Sequence, residues 1–147
     1  MPSSDNRRRS WWRAAAGSLW LVFSLLPVLS QAAGISLERD LHEALDRSRA
    51  VIEQAKDQLE QGRAAPKEID QIGTLADRIR KIDLMLREKF RLREEALKTG
   101  GAGALARHRS MASGVRAAIG AYLDAAEELH RNGPSAALLQ DLLDLLD

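Results

Sequence analysis

The sequence predicts an all-α fold: an antiparallel three-helix bundle with a short fourth C-terminal helix, preceded by an N-terminal signal or anchor segment. Three observations predict it. From Ser36 onward the apolar residues recur at gaps of three and four, the period of one helix face. Glycine and proline cluster at three places that cut this pattern into four segments. No stretch of the body alternates apolar and polar residues as a half-buried strand does.

The leader comes first. Met1 to Arg13 is polar and basic, and Ala14 to Leu29 follows without a charge. Pro27 breaks the apolar run, and Ser30-Gln31-Ala32 has small residues one and three places before a cut after Ala32. This order is that of a secretory signal peptide over residues 1–32, leaving 33–147 as one helical domain. The competing expectation is an uncleaved membrane anchor over residues 14–34, an uncharged run of about 20 residues, long enough to cross a bilayer. Both export the body, to the periplasm or to the outer face of an inner membrane. Arg8-Arg9-Ser10-Trp11-Trp12-Arg13 resembles a twin-arginine leader, with tryptophans where phenylalanine and leucine are usual; a generic basic segment is the simpler reading.

The first helix opens at Ser36 as N-cap, with Glu38 in the first turn and Ile35 placed as a staple, and runs to about Gln61. Its stripe is Leu37, Leu41, Leu45, Ser48, Ile52, Ala55 and Leu59, widened by Ala44 and Val51. Gly62 suits the residue after its C-cap, and Pro66 a first-turn position of the next helix. That second helix, to Lys98, carries Ile69, Ile72, Leu75, Ile79, Ile82, Leu86, Phe90 and Leu97 on one stripe. At roughly 45 Å it needs a cover over its whole length. Thr99-Gly100-Gly101-Ala102-Gly103 is a loose turn, not a phosphate loop, since neither a preceding strand nor a Lys-Ser or Lys-Thr accompanies it. The third helix, from about Ala104 to Arg131, places Leu105, His108, Ala112, Val115, Ile119, Tyr122, Ala126 and Leu129 on its stripe. Asn132-Gly133-Pro134 is a stop and restart. The last helix, Ser135 to Leu146, has leucines wrapping more than one side, with Asp141, Asp144 and Asp147 on a narrow polar strip.

Composition excludes several chemistries. The 147 residues contain no cysteine, which rules out thiolate metal sites, iron–sulfur clusters, thiol nucleophiles and disulfides. Of 22 basic and 21 acidic residues, four arginines and one aspartate belong to the leader, so the body has 18 and 20, a net of −2. Nucleic acid is therefore not an expected partner. His42, His108 and His130 form no ligand cluster by spacing, and neither a metal nor a cofactor is expected. No catalytic set of Ser, His and Asp is readable. Met85 and Met111 read as packing filler.

Charge is unevenly spread. From Glu38 to Glu60 there are seven acids and four bases; from Asp77 to Arg93, seven bases and three acids. Pairing between the helices explains this, along with local pairs Glu43–Arg47, Asp77–Lys81 and Asp83–Arg87. The functional alternative is a basic strip of Arg80, Arg87 and Arg91 facing a partner, an anionic ligand or lipid headgroups. A second candidate surface is the last helix, with Leu138, Leu139, Leu142, Leu145 and Leu146 docking on a protein. Ile82-Asp83 followed by Leu84, Leu86 and the arginines resembles, over this one helix, the long first helix of chorismate mutases. That resemblance implies an arginine-lined site for an anionic substrate.

The functional expectation is an exported accessory or adaptor protein acting through protein contacts, of unspecified oligomeric state. Membrane association would run through residues 14–34. The alternative is a ligand- or metal-handling bundle or a small helical enzyme, with His108 and Tyr122 as its polar site.

Overall fold

The computed structural model describes residues 36–147; the leader, the possible anchor and Ile35 lie outside the described residues. Those described form four helices and no strand: α1 Leu37–Glu60, α2 Pro66–Leu97, α3 Ala102–Asn132 and α4 Ala136–Leu146. None is long and apolar enough to cross a membrane.

Local chemistry sets the boundaries. The Ser36 hydroxyl accepts a hydrogen bond from the Arg39 N–H at 3.1 Å, satisfying one of the donors that open α1. At its other end Gly62 has φ +73°, and the N–H groups of Gly62 and Arg63 donate to the carbonyls of Leu59 and Gln58. This is a Schellman closure, which needs a left-handed residue at that point. Pro66 starts α2 where its missing N–H is harmless. Gly101, at φ +112°, turns the chain directly into α3, so the glycine-rich link is shorter than its composition suggests and Gly103 is already helical. Ser135 caps α4 through the Leu138 N–H.

The helices pack in a closed order: α1 on α2, α2 on α3, α3 on α4, and α4 back on α1. Side-chain pairs fix the directions. Glu38, at the start of α1, meets Lys89 near the end of α2, and Gln58 meets Glu68 across the other end, so these helices run oppositely. His108 meets Phe90, and Arg109 meets Glu94, so α3 begins beside the end of α2.

One apolar core fills the interior. Leu41, Ile52, Ile72, Ile79, Leu86, Ile119, Tyr122, Leu129, Leu139, Leu142 and Leu145 are its fully buried large members. Alanines 118, 121, 125 and 126 supply the small surface of α3 that lets its neighbours close in.

Candidate interaction surface

The leucines of α4 are mostly core. Leu139, Leu142, Leu145 and Leu146 are buried and Leu138 is half-buried against the same cluster. The leucines expected as a docking face thus pack within the chain's own bundle: an 11-residue helix wedged between α1 and α3 needs apolar residues on two sides to meet both. Its C-terminal end has an ionic clasp. The Arg49 guanidinium of α1 donates to the Asp147 carboxylate and to the Leu146 carbonyl. The cation offsets acids that otherwise oppose the helix dipole there.

Arg80, Arg87 and Arg91 of α2 are exposed, but each is engaged along its own helix. Arg80 pairs with Asp77 at 2.6 Å, Arg87 with Asp83 at 2.8 Å, and Arg91 with Glu88 through two hydrogen bonds of 2.6 and 2.9 Å. Asp77 thus selects Arg80 over Lys81, the partner its spacing suggested. The Asp83 pair is unlike the others, because Asp83 is buried while Arg87 reaches it from solvent.

His108 and Tyr122 do not share a site. Fourteen residues of helix separate them, about 21 Å along α3. His108 is buried beside α2, its ring edge-on to Phe90 with centroids 5.8 Å apart. Its Nε2 lies 2.9 Å from the Phe90 carbonyl oxygen. A carbonyl only accepts, so Nε2 carries the proton and the imidazole ties α3 to α2. Tyr122 is fully enclosed, and its hydroxyl has no partner in hydrogen-bonding geometry. Burial pushes its pKa up; the Ser48 hydroxyl nearby acts weakly the other way, and is itself committed to the Ala44 carbonyl at 2.7 Å. The described residues contain no group of three His, Asp or Glu side chains able to hold a metal ion.

The remaining buried ion is Glu38, bonded to Lys89 at 2.6 Å. Burial raises its pKa, but the hydrogen bonds from Lys89, Ser36 and the backbone, with the Lys89 charge, outweigh this and hold it below the usual 4.5.

What the sequence reading passed over is an outward apolar cluster. Among the described residues, the exposed large apolar side chains are Leu84, Met85 and Leu92, at 60%, 48% and 56% exposure. All three are on α2, within an arc of about 100° and about 12 Å of its length. The signal was present: these residues fall outside the core stripe of α2, on the face opposite it. Beside them Lys81 is exposed and Arg78 half-buried, and neither forms an ion pair among the described residues; Arg93 lies about 180° round the helix from Leu84.

Comparisons with protein-family models, curated proteins and solved structures return no match to this chain.

Proposed function

We propose that the chain is an exported helical-bundle accessory or adaptor protein that acts through protein–protein contacts. The basic, uncharged and small-residue order of the leader supports export, with the periplasm or the outer face of an inner membrane as its location. The body is read as an antiparallel bundle of three long helices closed by α4. The observation that carries the adaptor reading is the exposure of Leu84, Met85 and Leu92 together on one side of α2. A chain that buries its leucines this thoroughly elsewhere leaves such a cluster outside where something else covers it.

The test is affinity capture of the tagged full chain from its native envelope fraction after crosslinking, with intact mass read on the recovered species. A specific protein at near-stoichiometric amount is the expected outcome, together with a mass corresponding to cleavage after Ala32. Recovery of the chain alone removes the adaptor reading, and an uncut mass replaces the signal peptide by the anchor.

A further inference from the structure

Resting on that adaptor reading, we infer that the outward face of α2 around Leu84, Met85 and Leu92 receives an acidic amphipathic helix of a protein partner. The charge on this face decides the sign of the partner. Arg80, Arg87 and Arg91 are compensated by Asp77, Asp83 and Glu88 on α2 itself. Arg78 and Lys81 have no such partner among the described residues, so the end of the apolar cluster at Leu84 and Met85 sits beside two uncompensated positive charges. Carboxylates on an incoming segment would meet those two bases at no cost to an internal pair.

The pattern along the helix decides the kind of partner. Asp77, Glu88 and Glu95 share the arc of Leu84, so acids and bases alternate beside the apolar groups. Glu88 lies between Leu84 and Leu92 and is held there by both of its hydrogen bonds to Arg91. A layer of anionic headgroups would press against Glu88 and Glu95 as much as against Lys81. It would also have to bury a carboxylate among the apolar side chains, which is costly. A rigid segment can put its acids opposite Arg78 and Lys81 and leave Glu88 to Arg91. Leu84 and Leu92 are two turns apart, which matches apolar residues at positions i and i+7 of a helix lying alongside α2, as α1 and α3 already do. A second copy of the chain would bring the same surplus of bases against itself.

The experiment places a photoreactive side chain at Met85 of the full-length protein in its native envelope fraction and sequences the crosslinked peptide. A control carries the same group at the exposed Ala137 on α4. The expected adduct is to a different protein, at a segment with apolar residues spaced by three, four or seven and flanked by Asp or Glu. Its yield falls severalfold in the variant Lys81→Glu, and also as salt rises from about 50 to about 500 mM. Lys81 is exposed and has no ion pair among the described residues, so the melting curve of the variant matches that of the wild type. An adduct to lipid, to a second copy or to a segment lacking the acidic pattern overturns the inference. So does a yield equal to the Ala137 control, or one indifferent to charge reversal. If affinity capture still recovers a stoichiometric partner in those cases, the adaptor reading stands and only this face is wrong. If capture also fails, both fall.

Discussion

Leu142→Ala and Leu92→Ala make the same chemical change at two places that the structure treats oppositely. Leu142 has no exposed surface and lies where α4 fills the space between α1 and α3. Removing its isobutyl group loses burial and leaves a void, at about 3 kcal/mol for a site of this kind. With an unfolding entropy of ~2.1 cal/mol/K per residue over residues 36–147, that is a fall in Tm of about 13 °C. Leu92 is more than half exposed, so its truncation costs under ~0.5 kcal/mol, or about 2 °C. The assay is thermal unfolding followed by the far-ultraviolet helical signal, repeated as urea denaturation. Partner capture should invert the order: Leu92→Ala weakens it with Tm unchanged, whereas the folded fraction of Leu142→Ala still binds. Equal Tm shifts for the two variants, or a Leu142→Ala shift below a few degrees, would refute the placement of α4 in the core.

Four further outcomes follow from the same geometry. Ile82→Asp puts a charge into the interior at several kcal/mol and should abolish cooperative melting; a retained sharp transition would remove Ile82 from the core. Arg87→Ala strips the buried Asp83 of its cation and should lower stability by about 1–2 kcal/mol, while Arg91→Ala, whose acid partner is fully exposed, leaves the melt within error. Tyr122→Phe removes a buried hydroxyl without a partner and should hold or raise Tm; a clear drop would mean that the hydroxyl bonds to Ser48. Glu38 has a folded pKa below 4.5, so its contribution is complete above that value and is lost as pH falls through the folded pKa. The Tm gap between wild type and Glu38→Gln should therefore narrow from about pH 7 to about pH 3, and a constant gap would deny the linkage.

Element existence and the main stripes were legible because they depend on spacing alone. Leu41, Ile52, Ile79, Leu86, Ile119 and Leu129, all on the expected stripes, are buried. The caps at Ser36 and Ser135 and the turn at Gly62 follow from side-chain and backbone chemistry that a sequence displays directly. The reading failed where the answer depends on which helix lies beside which. An apolar helix such as α4 looks the same whether it meets its own chain or another, and only its place between α1 and α3 decides. Asp83 reads as an exposed acid but is covered by packing, which turns one of several local ion pairs into a buried one. His108 was expected on the buried stripe and is there, though no spacing rule reveals a backbone carbonyl eighteen residues earlier as its partner. Leu84 and Leu92 lie off the periodic side of α2, where spacing marks no core position.

The return of α4 onto α1, clasped by Arg49 at Leu146 and Asp147, also governs when the fold can be completed. The two ends of that contact are 97 and 98 residues apart in the chain. A growing polypeptide must expose the apolar flank of α1 until synthesis has passed residue 146, because its cover is the last of the four described helices to emerge. The hairpin of α1 and α2 can form early from local contacts, but it stays open on one side. Such a nascent chain is kept from finishing its core by its own topology. It remains threadable through a narrow conduit until α4 has been made, and it is vulnerable to proteases for just as long.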